Sequence, residues 1–225
     1  MTVGAIVAAA GRGERLGAAV PKALLPVGGV PLVVHAVRAL SAGGARHVVV
    51  AAPMSDVDAV RALVHDAVVV AGGATRQDSV RHALAALPPS VDVVLVHDAA
   101  RGLAPASLVA DVVAAVHAGA GAVVPVVPVA DTVKEVDGRG VVIRTVDRGR
   151  LRAVQTPQGF RRDVLVRAHA HGSGQATATD DASLVEASGV DVVTITGSPE
   201  AFKVTTALDV TVAEAVLAAR SAHVL

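Results

Sequence analysis

Short runs of Val, Ala and Ile alternate along the chain with longer stretches in which apolar residues recur at helical spacing. The short runs predict six strands, at Val3–Ala10, His47–Ala52, Ala67–Ala71, Val91–His97, Gly121–Val127 and Asp191–Thr196. The stretches between them predict helices at Pro31–Ala42, Asp56–Val64, Ser79–Leu87 and Pro105–Ala118, with Ser79 as a helix N-cap. Strands that alternate with helices are typical of βα units. We therefore predict an α/β fold in which the first 130 residues form one doubly wound, mainly parallel, twisted sheet.

The pattern changes after Val129, where two strand-like runs follow each other without a helix between them. Asp131–Val136 and Val141–Val146 flank the turn cluster Asp137-Gly138-Arg139-Gly140, which predicts an antiparallel β-hairpin that projects from the sheet. Two strands alone are marginally stable in water, so such an arm needs a surface to pack on. A second subunit is the simplest candidate for that surface.

The rest of the chain returns to helical spacing. Helices are predicted at Arg161–His169, Asp181–Ser188 and Leu208–Ala219. At roughly 100–200 residues per domain, a chain of 225 residues is long enough for one full domain. We therefore predict a single domain over residues 1–225, with residues 129–150 as a dimerisation arm.

Composition narrows the kinds of core and partner. Apolar residues make up 52% of the chain but aromatic residues only 1%, so Val, Ala and Leu must fill the core, as suits a parallel sheet covered on both faces. Lys and Arg number 20, and so do Asp and Glu, so no net charge attracts a nucleic-acid polymer or an anionic membrane. With no cysteine, disulfides, thiolate zinc sites and thiol nucleophiles are excluded.

The apolar run at the amino end is predicted to be a strand and not a signal peptide. No basic residue precedes Val3–Ala10, and the run stops at a Gly/Arg loop. No stretch of about 18 uninterrupted apolar residues occurs elsewhere. We expect a soluble, cytoplasmic protein that does not enter a membrane.

The loop after the first predicted strand is the strongest local signal for chemistry. Gly11 and Gly13 let the backbone approach a ligand, and Arg15 and Lys22 add two cations to the same loop. These features fit an anion site. The loop does not end in the Gly-Lys-Ser/Thr of the phosphate loop. It also differs from the dinucleotide fingerprint, because Leu16 stands where the third glycine would be. A flexible surface loop is the alternative interpretation.

The choice of basic residues gives an independent signal. The chain has 17 arginines but only three lysines, Lys22, Lys134 and Lys203. A lysine offers a compact point charge where arginine offers a planar fork, so a crowded phosphate site can require lysine. Chance is a sufficient explanation for Lys134, which lies on the predicted arm.

The third and fourth predicted strands are each followed by a segment that can bind a ligand, because ligands of open α/β sheets bind at the carboxyl ends of the strands. Asp98 can hold a metal ion or accept a ligand hydroxyl, and Arg101 can pair with an anion or with Asp98 itself. An Asp–Arg structural pair is the alternative. Gly73 and Ser79, after the third predicted strand, can read a base or ribose, or can belong to an ordinary turn before a helix.

Seven blocks, taken in chain order, resemble one family. They are Ala9-Ala10-Gly11-x-Gly13-x-Arg15-x-Gly17 followed by Pro21-Lys22, His97-Asp98-Ala99-Ala100-Arg101, Asp131-Thr132, Val146-Asp147-Arg148, Gln155-Thr156-Pro157-Gln158, Thr179-Asp180-Asp181-Ala182-Ser183 and Phe202-Lys203-Val204-Thr205. In this order they resemble 2-C-methyl-D-erythritol 4-phosphate cytidylyltransferase of the non-mevalonate isoprenoid pathway. The resemblance runs from about Val3 to Leu217.

The resemblance implies a Rossmann-like nucleotidyltransferase fold and a homodimer joined through the arm. It also implies a reaction of CTP with methylerythritol phosphate that gives the CDP-alcohol and pyrophosphate, with Mg²⁺ bound largely through the CTP phosphates. Asp98 is a further possible metal ligand. The chain departs from the family pattern at Gly102, where proline is usual, and at Leu16, where methionine is usual.

The same resemblance assigns roles to individual residues. The implied catalytic residues are the cations Arg15, Lys22, Arg148 and Lys203. The implied nucleotide-binding residues are Ala9, Ala10, Gly11, Gly13, Gly73 and Ser79, and the implied substrate contacts are Asp98, Arg101, Thr132 and Thr179. Thr132 and Arg148 are expected to reach the site of the partner subunit from the arm.

The implied reaction agrees with the residues that the chain lacks. A phosphate monoester is already largely dianionic near neutral pH, so attack on phosphorus needs no Ser–His pair and no general base. Two alternatives stay open. The chain can act on ribitol 5-phosphate or another alditol phosphate, or it can be a non-catalytic regulator that binds a nucleotide and releases no pyrophosphate.

Overall fold

The computed structural model describes residues 1–10, 21–171 and 179–222. The strands are β1 Thr2–Ala8, β2 Pro26–Val27, β3 Val30–Pro31, β4 His47–Ala52, β5 Val68–Ala71, β6 Val91–Asp98, β7 Ala122–Pro128, β8 Val133–Val136, β9 Val142–Val146, β10 Arg152–Val154, β11 Gln158–Arg161 and β12 Val192–Thr196. The helices are α1 Leu32–Ala42, α2 Val57–Arg61, α3 Arg76–Ala86, α4 Ala106–His117, α5 Arg162–His171, α6 Asp181–Ala187 and α7 Ala207–Ala222.

A single eight-stranded sheet organises the molecule. Its main path runs β10-β7-β11-β6-β1-β4-β5, and β12 pairs with β7. Strands β1, β4, β5 and β6 pair in parallel, as do β7 and β12, whereas β10 and β11 are antiparallel to their neighbours. The predicted α/β fold with a mainly parallel sheet is therefore confirmed.

Helices cover both faces of this sheet, because its central strands are apolar on both sides. In β1, Val3, Ala5 and Val7 pack into one core cluster together with α1 and α4, while Ile6 points into a second cluster that includes residues of α3 and α5. Successive side chains of a strand point to opposite faces. A continuous run of small apolar residues can thus fill two cores at once, and the sheet is doubly wound as predicted.

Two antiparallel strands of the main sheet, β10 and β11, were not predicted, and neither was the short antiparallel pair β2–β3. β11 lies between β6 and β7, with Gln158 opposite Val96 and Gly159 opposite both Leu95 and Val123. β10 continues along the same edge of β7, opposite Val126 to Pro128. β10 and β11 have only three and four residues, too few to show an apolar alternation. Pairing with β6 and β7 therefore holds them in the sheet.

The start of α3 corrects another expectation. Ser79 is not the N-cap: the helix begins at Arg76, and the Thr75 side chain accepts a hydrogen bond from the Asp78 backbone N–H. The Asp78 carboxylate accepts in return from the Thr75 N–H at 3.1 Å. This reciprocal capping box satisfies two of the free N–H groups at the helix start, and it places Ser79 inside the first turns of the helix.

The predicted hairpin is present as the two-stranded sheet β8–β9, in which Val133 pairs with Val146 and Lys134 with Thr145. The Asp137 carboxylate accepts hydrogen bonds from the N–H groups of Arg139 at 2.9 Å and Val141 at 3.0 Å, which closes the turn. Most side chains of the hairpin are exposed.

Within the described residues, no helix is long and apolar enough to cross a membrane.

Candidate functional site

The carboxyl ends of four parallel strands bring four of the predicted site residues to one edge of the sheet, namely Ala9, Ala10, Gly73 and Asp98. Ala8, the last residue of β1, lies opposite Asp98, the last residue of β6. The Ala9 N–H donates to the Ala51 carbonyl at 2.9 Å, and the Gly72 N–H donates to the Ala52 carbonyl at 2.7 Å. The segments that follow β1, β5 and β6 therefore start side by side.

Small residues let two of these segments touch. A Cβ on Gly72 would lie 2.8 Å from the Cβ of Ala10, and a Cβ on Gly73 would lie 2.2 Å from the Cβ of Asp78. Both distances are shorter than a non-bonded carbon contact allows. The glycines thus permit the segment after β5 to pack against Ala10, and two of the predicted nucleotide-binding positions, Ala10 and Gly73, lie in adjacent segments.

Ser79 supports this loop from behind. Its side chain is buried. Its hydroxyl donates to the Thr75 carbonyl at 2.9 Å and accepts from the Gly73 N–H at 3.1 Å. In this arrangement the hydroxyl fixes the backbone that would face a nucleotide, and a direct contact of Ser79 with a ligand stays a prediction.

Asp98 is the charged centre of the site. Its carboxylate accepts from Lys203 Nζ at 2.8 Å and lies 3.5 Å from Arg76 Nη2. Burial alone would raise the pKa of Asp98, but the charges of Arg76 and Lys203 and the Lys203 hydrogen bond outweigh it and lower that pKa to about 2. Asp98 is therefore fully ionised at neutral pH, and its negative charge holds two cations at the strand edge.

Arg76 and its second partner were missed by the sequence analysis. Arg76 Nη1 donates to Asp181 at 2.6 Å, and His169 Nε2 lies 2.9 Å from the other oxygen of the same carboxylate. The Asp181 side chain is completely buried. Arg76 and Asp181 are 105 positions apart in the chain, so no local spacing could have indicated the pair.

His97 and Thr156 connect β6 with the segment before β11. The Thr156 hydroxyl accepts from the Asp98 N–H at 3.0 Å and lies 2.9 Å from His97 Nδ1. His97 is fully buried, and burial lowers its pKa to about 4. The ring is thus neutral at pH 7, and the Thr156 hydroxyl fixes the backbone of the residue that carries the Asp98 carboxylate.

Arg101 does not form the direct pair with Asp98 that the sequence analysis left open. Its guanidinium donates to the carbonyl of Ala201 at 2.8 Å and to that of Val154 at 3.1 Å. Burial lowers the pKa of Arg101, although the charge of Asp98 opposes that change. Through these two bonds Arg101 connects three segments around the site, and its contact with substrate stays a prediction.

The segment that carries Lys203 is held against the same edge. The Val204 N–H donates to the Ala100 carbonyl at 2.9 Å. Lys22 begins a short turn, Lys22–Leu24, that contacts the turn Ala99–Arg101. Two of the chain's three lysines therefore lie next to the end of β6, as expected if a phosphate site requires them. Gly11, Gly13, Arg15 and Leu16 lie outside the described residues.

The predicted contacts on the arm and after α5 are exposed. Thr132 and Arg148 lie at the base of the hairpin, where Arg148 donates to the Ala130 carbonyl. Thr179 is exposed just before α6. Among the described residues, no hydrogen bond or ion pair joins Thr132 or Arg148 to Asp98 or Lys203, and their contact with substrate stays a prediction.

The donor set around Asp98 suits a metal held by a substrate better than one held by the protein. The described part of the chain contains no group of three or more Asp, Glu or His side chains that could hold a metal ion. Asp98 is a single carboxylate and is already paired with two cations. Mg²⁺ commonly uses one or two carboxylates together with substrate phosphates, so Asp98 can supply one oxygen at most.

The departure at Gly102 has a local packing reason. A Cβ on Gly102 would lie 2.7 Å from the Leu32 carbonyl and 3.1 Å from the Cβ of His35. Glycine therefore allows the turn after Asp98 to pack closely on the start of α1. In this chain any larger residue at position 102 would require α1 to move.

Comparisons with known proteins agree with this geometry. The family model for 2-C-methyl-D-erythritol 4-phosphate cytidylyltransferase matches residues 3–219. Curated proteins of that name are 58% identical in Saccharopolyspora erythraea, covering 97% of this chain and 100% of that protein, and 59% identical in Frankia casuarinae, covering 96% and 81%. The crystal structure of the protein of that name from Thermus thermophilus is 41% identical and superposes with a TM-score of 0.82, covering 96% of this chain and 98% of that one. The chain thus belongs to the 2-C-methyl-D-erythritol 4-phosphate cytidylyltransferase family.

Proposed function

We propose that this protein transfers the cytidylyl group of CTP to 2-C-methyl-D-erythritol 4-phosphate, giving 4-diphosphocytidyl-2-C-methyl-D-erythritol and pyrophosphate for isoprenoid biosynthesis. Membership of the family supports the enzyme class and the substrates. The observation that carries the proposal is the pair Asp98–Lys203, which lies at the same carboxyl edge of the sheet as Ala9, Ala10 and Gly72. That edge is where open α/β sheets bind nucleotides.

The chemistry needs alignment and charge rather than proton transfer. An oxygen of the acceptor's phosphate attacks the α-phosphorus of CTP, the bond from that phosphorus to the β-phosphate oxygen breaks, and pyrophosphate leaves. The attacking phosphate is already an anion. The barrier comes from bringing two anions together and from the charge that develops during transfer, and fixed cations lower it.

Three cations are proposed to supply that charge. Lys22 and Lys203 belong to segments that contact the turn after Asp98 or Asp98 itself. Arg15 belongs to the loop between Ala10 and Lys22 in the sequence. We propose that Arg15 and Lys22 meet the triphosphate, and that Lys203, held at 2.8 Å by Asp98, meets the attacking phosphate.

The adjacent segments after β1 and β5 are proposed to bind the cytidine. Ala9 is buried in the core, and the Gly72 backbone packs against the small side chain of Ala10. A pyrimidine read by backbone groups fits between such segments, and we therefore propose a preference for CTP over the purine triphosphates. Gly11 and Gly13 are proposed to extend this surface.

A divalent cation, Mg²⁺ in the proposal, would be bound mainly through the CTP phosphates. When bound, it withdraws charge from the phosphate oxygens and fixes their geometry. Asp98 is the side chain that could contribute an oxygen, and its low pKa keeps that oxygen ionised.

We further propose a homodimer joined through the hairpin. Four apolar side chains of the hairpin, Val136, Val141, Val142 and Ile143, are each more than half exposed. An isolated two-stranded sheet with such a surface gains stability when a second copy covers it. Thr132 and Arg148 would then reach the partner's site. A cytoplasmic location stays a prediction of the same kind.

One product analysis tests the proposed function. The protein is incubated with CTP, 2-C-methyl-D-erythritol 4-phosphate and MgCl₂, and phosphorus NMR follows the phosphates. We expect pyrophosphate and a diphosphate diester to appear in equal amounts as CTP disappears. Unchanged CTP would contradict the proposal and favour a non-catalytic nucleotide-binding regulator.

A further inference from the structure

Asp181 carries a negative charge in the interior of the protein. Its side chain has no exposed surface. Arg76 Nη1 donates to one carboxylate oxygen at 2.6 Å, and the other lies 2.9 Å from His169 Nε2. Burial alone would raise the pKa of Asp181, but the His169 hydrogen bond and the Arg76 charge lower it. A buried carboxylate is costly unless it is paired in this way, and Asp181 cannot touch a ligand.

Arg76 joins this buried carboxylate to the candidate site. Its guanidinium spans two carboxylates, with Nη1 at 2.6 Å from Asp181 and Nη2 at 3.5 Å from Asp98. Asp98 in turn accepts from Lys203 at 2.8 Å, through its other oxygen. Charged groups of alternating sign thus run from the interior to Lys203, whose side chain is 44% exposed.

The distances show how Asp98 is divided between its two cations. The planar guanidinium presents its N–H groups in a fixed fork, and the shorter bond of that fork goes to Asp181. The longer one leaves Asp98 close to Lys203. Without the negative charge of Asp181, the Arg76 guanidinium would be drawn to Asp98 alone, where it would compete with Lys203 for the same carboxylate.

The position of Asp181 is itself fixed by the sheet. Gln158 on β11 donates to the Asp180 carboxylate at 2.7 Å and accepts from the Ala182 N–H at 3.2 Å. Gln158 lies opposite Val96 on β6, two residues before Asp98. The start of α6 is therefore held by a neighbour of the strand that ends in Asp98, which gives the two carboxylates a defined separation.

We propose that Asp181 is a positioning residue of the acceptor side of the site, a role that rests on the function proposed above. It acts by holding Arg76, and so keeps Asp98 and Lys203 aligned with the phosphate of the alcohol substrate. His169 orients the second oxygen of the Asp181 carboxylate. The Gly73 loop is held by the Gly73 N–H on the Ser79 hydroxyl and by that hydroxyl on the Thr75 carbonyl. Neither bond uses the Arg76 side chain, so we expect the binding of CTP to depend less on Asp181.

The variant Asp181→Asn tests this role, because the amide keeps the shape of the side chain and removes its charge. Loss of alignment at a distance from the chemistry can cost up to about a hundredfold. We expect the KM for 2-C-methyl-D-erythritol 4-phosphate to rise about tenfold or more while the KM for CTP stays within about twofold. The matched control is Asp163→Asn, which removes an exposed carboxylate on α5 that pairs with Arg161 and Arg167; we expect both KM values to stay unchanged.

A second variant covers the case in which Asp181→Asn does not fold. Arg76→Lys keeps the positive charge but replaces the planar fork, which holds Asp181 and Asp98 at fixed positions, by a single flexible ammonium. We therefore expect the same selective rise in the KM for the acceptor. A folded variant with unchanged KM values, or with equal rises for both substrates, would overturn the positioning role. If the wild-type protein releases no pyrophosphate from CTP and the acceptor, the proposed function fails and the positioning role fails with it, a result distinct from a failure confined to the variants.

Discussion

At the scale of single residues, Lys22 and Lys203 are the side chains whose charge the proposed reaction uses most directly. Lys203 is held by Asp98 at 2.8 Å, so its ammonium has a fixed place before any substrate arrives. A cation that is already in place stabilises the developing charge without having to reorganise. Lys22 is therefore proposed to act mainly on the rate, whereas Lys203 is proposed also to bind the acceptor phosphate and so to affect the KM for the acceptor.

We predict that Lys22→Ala lowers kcat by about 10²–10³ and changes the KM for CTP far less, because the charge matters most in the transition state. Steady-state kinetics of pyrophosphate release measure both constants. Lys134→Ala is the control, since Lys134 lies on the exposed hairpin and donates to the Thr145 hydroxyl at 2.7 Å. A normal kcat with only a raised KM for CTP would show that the loop is a binding device.

A buried histidine next to the site predicts how stability depends on pH. Burial lowers the pKa of His97 from 6.5 to about 4, so the unfolded chain binds the proton first as the pH falls. The folded state therefore loses stability between pH 6.5 and about 4. We expect this residue to reduce the free energy of unfolding by about 2 kcal/mol between pH 7 and pH 5.

Urea unfolding of the wild type and of His97→Asn at the two pH values measures this effect. The Asn side chain can keep an oxygen near the position of Nδ1, which bonds to Thr156 in the wild type. The variant should lose the pH dependence that His97 contributes, whereas His117→Gln, which changes an exposed histidine, should retain it. If the free energy of unfolding changed equally with pH in the wild type and in His97→Asn, the low pKa of His97 would be contradicted.

How much of the site the sequence could indicate depends on the kind of signal each residue carries. Asp98 follows a strongly apolar strand, and Lys22 and Lys203 stand out in a chain rich in arginine, so all three could be singled out from composition and position. Arg76 and Asp181 could not be paired, because 105 positions separate them. Only the folded sheet brings their helices together.

At the scale of elements, the strands with long apolar runs could be predicted from the sequence, and the short strands β10 and β11 could not. β4 has the predicted bounds, His47–Ala52, because its apolar run is continuous and ends at proline. β10 and β11 have three and four residues, and they are held by pairing with β7 and β6. The predicted cap at Ser79 was wrong, although the capping box of Thr75 and Asp78 has a spacing that can be recognised in the sequence.

In the proposed homodimer, Arg148 at the end of the hairpin β8–β9 is expected to contact substrate in the site of the other subunit. If Arg148 carries a cation into the neighbouring site, Arg148→Ala should leave the dimer formed and CTP binding near normal. The KM for the alcohol phosphate should rise roughly ten- to a hundredfold, the value of one charge-assisted contact to phosphate. Kinetics with each substrate varied, together with sedimentation of the variant, measure the two effects.

Mixed dimers distinguish contact across the interface from contact within one subunit. A dimer of one Arg148→Ala subunit and one Lys22→Ala subunit would contain one site with both defects and one with neither. At an alcohol-phosphate concentration near the wild-type KM, where both variants are weakly active, mixing them should then restore up to about half of the wild-type activity per mixed dimer. No recovery, with the mixed dimer verified by differently tagged subunits, would show that Arg148 acts within its own subunit.

At the scale of the whole molecule, the fold places the opposite charges of Asp98, Arg76 and Lys203 at the sheet edge that also carries Ala10 and Gly72. The balanced net charge of the chain means that this local arrangement, rather than a general field, must attract the two anionic substrates. Family membership covers residues 3–219, nearly the whole chain. The acceptor side is where the proposed substrate and another alditol phosphate, such as ribitol 5-phosphate, must be distinguished.

The most direct measurement is therefore the initial rate of pyrophosphate release with a matrix of substrates. CTP, UTP, ATP and GTP are each combined with 2-C-methyl-D-erythritol 4-phosphate, ribitol 5-phosphate and a reaction without acceptor, at equal concentrations with MgCl₂. We expect the highest kcat/KM for CTP with 2-C-methyl-D-erythritol 4-phosphate and negligible release without acceptor. A higher kcat/KM for ribitol 5-phosphate, or equal turnover of a purine triphosphate, would contradict the proposed function.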